Sequence, residues 1–253
     1  VYKMNMFDPQ HLAIITVTFL IAGTVKGVIG LGLPTISLAL LTATLGLHPA
    51  MALLLAPSLI TNIWQAAVGG NAKELIGRIW PFLLTAMLTV WLGAYALENT
   101  DVSYLSALLG VLVVSYSAIA LAKPHITLPQ KWEIWAGPLA GSINGVLTGM
   151  TGAFVFPGIL YLQSMGLTKN ALVQAMGILF SCSTVALAVS LGGRSMISQE
   201  IGLVSIAAVV PALAGMILGQ RLRQKLSESL FRRVLFIALL LLGAYIVVRS
   251  LLG

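Results

Sequence analysis

Apolar residues run through this chain in blocks, separated by short stretches that hold nearly all of its charge. A helix needs about 20 apolar residues to cross the hydrocarbon core of a bilayer. Six blocks reach that measure: 48–68, 78–97, 102–122, 168–191, 200–219 and 231–251. Two more, 10–46 and 132–166, are too long for one span, and glycine and proline interrupt both in the middle. Each of these two reads as a helical hairpin that enters and leaves on one side. The first block resembles a signal peptide, but no small-residue cleavage site precedes the next hydrophobic run, so it is assigned to the structure.

Composition points the same way. Residues of the set AVILMFWYC make up 58% of the 253 and DEKR only 8%, with a mean hydropathy of +1.00. A soluble domain carries about a quarter charged residues, so this chain cannot clothe a water-facing surface. Soluble enzymes, nucleic-acid binders, disordered chains and disulfide scaffolds are excluded on that ground, and the lone Cys182 adds no metal cluster. The net charge of +7 sits between the apolar blocks, which is how cytoplasmic loops are marked. Arg221, Arg223, Lys225, Arg232 and Arg233, opposed only by Glu228, place their loop in the cytoplasm. Counting from there, Lys73, Arg78, Lys123, Lys131 and Lys169 fall inside, whereas Glu98, Asp101, the 192–199 loop and both termini fall outside.

The two long blocks repeat one pattern. Gly23, Gly27, Gly30, Gly32 and Pro34 mark the first; Gly145, Gly149, Gly152 and Pro157 mark the second. Each leads through a short apolar run to Gly-Leu, at 46–47 and 166–167, and three full spans follow in both cases. The predicted fold is an all-α integral membrane protein of two inverted repeats, each a Gly/Pro-broken helical hairpin plus three full transmembrane helices, with eight to ten membrane segments in all. The first repeat is 1–122, the linker 123–130 and the second repeat 131–253. Inverted repeats with interrupted helices are a transporter signature, with the binding site near the midplane. Close helix packing is the competing reading of the glycines.

The polar residues narrow the chemistry. Asp8, Glu74, Glu98, Asp101, Glu133, Glu200 and Glu228 all fall in loops or at span ends. Cation carriers and carboxylate proton relays place acids inside the bundle, so an anionic substrate is favoured. Lys26 lies within the first glycine run and has no buried acid to pair with; it either meets an anion or snorkels to the cytoplasmic face. New helices are expected near Pro34 and Pro157, whose free N–H groups at the hairpin tips would cradle an oxyanion approached through Gly27, Gly30, Gly32, Gly149 and Gly152. Thr35, Asn62, Gln65, Asn144, Thr148, Thr151 and Gln174 are the candidate side-chain donors; the alternative is interhelical bonding that holds the bundle together. His11, His48 and His125 are isolated, and no P-loop, catalytic triad or dinucleotide fingerprint is present, so neither cofactor nor metal is called for and the chain does not read as an enzyme.

At these residues the chain resembles the TauE/SafE family of sulfite exporters and sulfonate permeases. The carrying segments are Gly23-Thr24-Val25-Lys26-Gly27-Val28-Ile29-Gly30-Leu31-Gly32-Leu33-Pro34 and Asn144-Gly145-Val146-Leu147-Thr148-Gly149-Met150-Thr151-Gly152-Ala153-Phe154-Val155-Phe156-Pro157. Where family members often carry three successive glycines, Leu31 interrupts the run and Leu33 follows it, which puts substrate preference in question. The resemblance implies a multi-pass permease of the bacterial or archaeal plasma (inner) membrane for small sulfur-containing anions such as sulfite, sulfoacetate or other organosulfonates. Its partners are then the small anion and the lipid bilayer. A coupled ion, H+ or Na+, and an oligomeric state are compatible with the layout and not fixed by it. Competing readings are a membrane scaffold or assembly protein, an anion channel, and a lipid-acting membrane enzyme, the last lacking any nucleophile or metal cluster near the interface.

Overall fold

The structure is a computed structural model that describes residues 5–122, 127–225 and 227–252, with the side chain of Glu228 outside that description. Lys123 and His125, assigned above to the linker, also fall outside it. Twelve α-helices account for the described chain, without β-strands among the described residues. They are α1 (Pro9–Ile29), α2 (Leu33–Leu45), α3 (Leu47–Leu53), α4 (Leu55–Ala67), α5 (Ala72–Asn99), α6 (Val102–Ala122), α7 (Glu133–Thr151), α8 (Gly158–Ser164), α9 (Lys169–Gly193), α10 (Gln199–Ala207), α11 (Val209–Arg223) and α12 (Glu228–Leu252). Six spans are long and apolar enough to cross a bilayer, counting α10 and α11 as one, and the bent pair α3–α4 makes a seventh. This is a multi-pass all-α membrane protein.

Both long blocks break where glycine and proline predict. Gly30 and Gly152 end α1 and α7 in the left-handed region, with φ of 80° and 75°. A side chain is strained there. Their N–H groups close the last turns on the carbonyls of Lys26 (2.8 Å) and Thr148 (2.7 Å). Each chain then restarts at proline: Pro34 lies in the first turn of α2, and Pro157 precedes α8. The hairpins are unequal, since α2 has 13 residues and α8 only 7.

Two spans that read as continuous are interrupted. The 48–68 block bends by 42° between α3 and α4, and 200–219 divides at Ala208. Pro57 and Pro211 sit three residues beyond the respective break points, Leu54 and Ala208. A proline ring has no N–H and collides with the carbonyl four residues back, so the helix cannot run straight through. The carbonyl that Pro57 leaves without an intrahelical donor belongs to Leu53. Ser205 of α10 repairs this site: its hydroxyl donates to Leu53 O at 2.9 Å and accepts from the Ala56 N–H at 3.1 Å. A free backbone group at membrane depth costs several kcal/mol, which makes such repair obligatory.

The halves are interleaved. α1 packs mainly on α11, α5 on α7, and α6 on α12. If the two repeats predicted from sequence are exchanged, the α1–α11 pair becomes the α7–α5 pair and the α6–α12 pair becomes itself. Glycine sets the first two contacts. A Cβ on Gly23 would lie 2.1 Å from the Ala212 carbonyl oxygen, and one on Gly27 2.2 Å from that of Met216. Gly145 and Gly149 meet the Ala86 and Val90 carbonyls of α5 equally closely, both at 2.1 Å. Residue numbers rise together along both seams, so these pairs are parallel. Along α6–α12 they run oppositely: Gly110 meets Gly243, while Tyr116 stacks edge-on against Phe236 at 5.5 Å.

Ion pairs mark two separate ends of the bundle. At one end Arg78 clasps Glu133 (2.5 Å) and donates to Met165 O (3.1 Å). At the other, Arg194 pairs with Glu98. Arg78 and Glu98 both belong to α5 and stand about 30 Å apart at 1.5 Å per residue, the thickness of the hydrocarbon core. The loops thus sort as the charge count groups them: 78, 133 and 165 at one end, 98 and 194 at the other. Among the described residues no Asp or Glu is buried as a whole, and Glu133, whose side chain is 9% exposed, is held in its ion pair with Arg78.

Candidate functional site

Lys26 is the charged residue buried among the described residues, at 5% exposure. It lies in the last turn of α1 and does not snorkel to water. Its ammonium donates to Thr61 Oγ1 (3.2 Å) and to Asn62 Oδ1, both on α4. Thr61 passes its own proton back to the Pro57 carbonyl at 2.8 Å, which leaves its lone pairs for Lys26. Both acceptors are neutral. Beside the ammonium opens a cavity of about 280 Å³, lined by Lys26, Gly27 and Gly30 of α1 and by Thr61, Trp64 and Gln65 of α4. Val173 of α9 and Met216, Gln220 and Arg223 of α11 complete the wall. The floor is buried, whereas Trp64, Gln220 and Arg223 are exposed at the lip.

Helix geometry explains who reaches this cavity. Thr61, Trp64, Gln65 and Val68 recur at three- and four-residue steps along one face of α4, as do Met216, Gln220 and Arg223 along α11. Gly30 has open space where a Cβ would be, so the backbone at the hairpin tip faces the cavity directly. Two amides tie α4 to α9 beside the cavity. Gln65 Nε2 donates to Val173 O (2.7 Å), and Gln174 Nε2 donates to Ala66 O (2.8 Å) while its Oε1 accepts from Asn71 N (3.1 Å).

Of the residues singled out from sequence, the structure therefore brings together Lys26, Gly27, Gly30, Asn62 and Gln65, while Gln174 is buried in the neighbouring α4–α9 packing and does not line the cavity. Gly27 serves close packing against α11 as well as the cavity wall. Gly32 caps the start of α2 at φ 105°, with Pro34 buried behind it. Thr35 is buried in a different place, beside Tyr116 and Phe156, with its hydroxyl unbonded within the protein. The second hairpin forms its own cluster. Asn144 Oδ1 accepts the Gly158 N–H at 3.0 Å and so caps α8. Thr148 donates to Asn144 O (2.7 Å), Thr151 to Leu147 O (2.7 Å), and Gly152 packs on Met51, where a Cβ would come within 2.9 Å. Gly149 is spent on the α5 seam. None of these five lines the Lys26 cavity. The Nδ2 groups of Asn62 and Asn144 make no hydrogen bond within the protein. The sequence reading missed Trp64, Val68, Val173, Met216, Gln220 and Arg223; the helical periodicity of α4 and α11 was the signal that could have found all of them except Val173, which α9 supplies.

Lys26, buried at the end of a broken membrane helix, thus opens on a cavity that Gln65, Gln220 and Arg223 also line. The family model described as Sulfite exporter TauE/SafE matches residues 15–246, and the chain belongs to that family of membrane transporters. No curated protein and no solved structure matches the chain.

Proposed function

We propose that this chain carries small sulfur-containing anions, sulfite or organosulfonates such as sulfoacetate, across the plasma (inner) membrane of a bacterium or archaeon, and that the anion binds in the Lys26 cavity. The observation that carries this reading is the Lys26 ammonium, buried between two neutral acceptors with no carboxylate against it among the described residues. A buried ion costs several kcal/mol unless charge meets it. An anion in the cavity meets it, and Arg223 at the lip adds positive potential. Gln65 and Gln220 supply amide donors; Trp64, Val68 and Met216 offer an apolar wall to an organic tail. At about 30 Å³ per water, 280 Å³ corresponds to about nine waters. That is room for an organosulfonate, or for sulfite with part of its hydration shell.

Alternating access follows from the inverted halves, whose exchange symmetry of packing supports the inversion. The second hairpin, with Asn144, Thr148, Gly149, Thr151 and Gly152, is the counterpart around which the opposite side opens. Because α1 is bound to α11 and α5 to α7, the bodies that rock are these packed pairs rather than the sequence halves.

The test is flux of labelled sulfite and sulfonates into sealed liposomes holding the purified chain, with a counterflow arm that separates a carrier from a channel. Lys26→Met removes a charge-assisted contact worth about 1.5–3 kcal/mol, so uptake at low substrate falls about ten- to hundredfold while the fold survives. Normal uptake by Lys26→Met would remove Lys26 from the site. No substrate-dependent flux by the intact chain with any of these anions would end the transport reading.

A further inference from the structure

A second cavity, of about 600 Å³, lies between the end of α6 and the start of α12. Arg232 and Arg233 line it, with Phe236 behind them and Leu121, Leu230 and Ile237 as apolar walls. Both arginines sit within the first two turns of α12, Arg232 about 6 Å along its axis from Glu228, which is headgroup depth for a spanning helix. Arg232 is held inward: its guanidinium lies 5.9 Å over the Phe236 ring, and Phe236 is in turn stacked against the buried Tyr116 of α6. A guanidinium that only needed solvation would point to water. Leu230 and Ile237 are exposed at the mouth, at 63% and 44%, on a surface that faces lipid.

We infer that this cleft is a binding site for the phosphate headgroup of an anionic phospholipid. Arg232 and Arg233 hold the phosphate oxygens, and the acyl chains leave over Leu230 and Ile237. Planar guanidinium pairs suit phosphate geometry, and basic pockets between transmembrane helices on the positive side are where such headgroups bind. The occupant must be amphiphilic because the cleft is: Arg232 is half-buried over Phe236, Arg233 stands exposed at its edge, and the open side is apolar. A lipid seated there would bridge the last helix of one half to the last helix of the other. The site shares no residue with the Lys26 cavity, so it stands or falls apart from the transport reading.

The test uses the full chain in detergent, titrated separately with phosphatidylglycerol, phosphatidylcholine and inorganic phosphate, with native mass spectrometry counting bound lipid and melting temperature as the second readout. Phosphatidylglycerol binds and raises the melting temperature, and phosphatidylcholine and phosphate do not. Affinity for phosphatidylglycerol falls about fivefold for each arginine removed, in R233Q and again in R232Q/R233Q. Arg221→Gln, exposed in the last turn of α11, keeps wild-type affinity. Equal binding of phosphatidylcholine overturns the inference, as does unchanged affinity in R233Q. A loss in R221Q as large as in R233Q shows diffuse attraction rather than a site and also overturns it. An equal response to phosphate that R233Q abolishes makes this a free-oxyanion site and overturns the lipid assignment. Should R232Q/R233Q fail to fold, R233Q decides alone.

Discussion

Replacing Ser205 by alanine tests how the α3–α4 break is held. The hydroxyl makes two hydrogen bonds to backbone groups, donating to Leu53 O and accepting from Ala56 N–H, and Ser205 is 3% exposed. Alanine leaves both backbone groups unmet at membrane depth. Interhelical hydrogen bonds in membranes average about 0.6 kcal/mol, and a buried unmet polar group costs about 1–3 kcal/mol. Two bonds at the membrane values of about 0.6–1.7 kcal/mol each put Ser205→Ala about 1–3 kcal/mol below wild type. For a chain of this size that is a fall in melting temperature of about 3–10 °C. The assay is thermal unfolding in detergent, with Ser190→Ala as the control. Ser190 is equally buried, but its hydroxyl has no partner, so its loss costs nothing by the same accounting. A double-mutant cycle sharpens the test. Pro57→Ala restores the N–H that serves the Leu53 carbonyl within the helix, so Ser205→Ala costs about 1 kcal/mol less in that background. If Ser205→Ala melts with wild type, or the cycle shows no coupling, Ser205 does not repair the proline break.

Three further outcomes follow from geometry already described. Gly23→Ala drives a methyl group into the Ala212 carbonyl, 2.1 Å away, and lowers stability by about 1–3 kcal/mol; Gly30→Ala meets no atom and costs only the strain of its left-handed φ, about 1–2 kcal/mol. Paired melting curves, with cysteine crosslinking across α1–α11 to report their separation, distinguish the two causes. Asp101 accepts the Ser103 N–H at 2.8 Å at the start of α6, and that bond holds its carboxyl below the ordinary aspartate range. A depressed folded-state pKa means the cap is fully present above the unfolded value and is lost as pH falls through the folded one. Hydrogen exchange at Ser103 therefore accelerates only at acid pH below the usual aspartate range, and Asp101→Asn flattens that dependence.

Most of the architecture was legible because membrane insertion leaves few choices. Blocks of 20 apolar residues must be helices, and Gly30, Pro34, Gly152 and Pro157 punctuate the two that are too long. Lys26 announced itself as a cation with no acid in reach. The breaks at Leu54 and Ala208 were carried by Pro57 and Pro211, yet a hydropathy count passes over a proline inside an apolar run. Partner choice was illegible for a different reason. That α1 faces α11 rather than its own neighbours depends on which glycine stripes fit one another, Gly23 and Gly27 against Gly215 and Gly219, and spacing within one helix does not name the helix opposite. The same gap hid Arg223, which reads as one more loop charge until α11 is laid beside α1.

The α1–α11 seam also sets a timetable for biogenesis. About 190 residues separate Gly23 from Ala212, which at about 5–20 residues per second is about 10–40 s of translation. Lys26 waits far less, since Thr61 and Asn62 follow it within 36 residues, or about 2–7 s at the same rate. The nascent chain thus gives Lys26 its two hydrogen-bond acceptors early and carries the bare glycine stripe of α1 through most of synthesis. Closure of that stripe by α11 is a late step, and the insertion machinery must keep α1 from pairing with other small-residue helices until then.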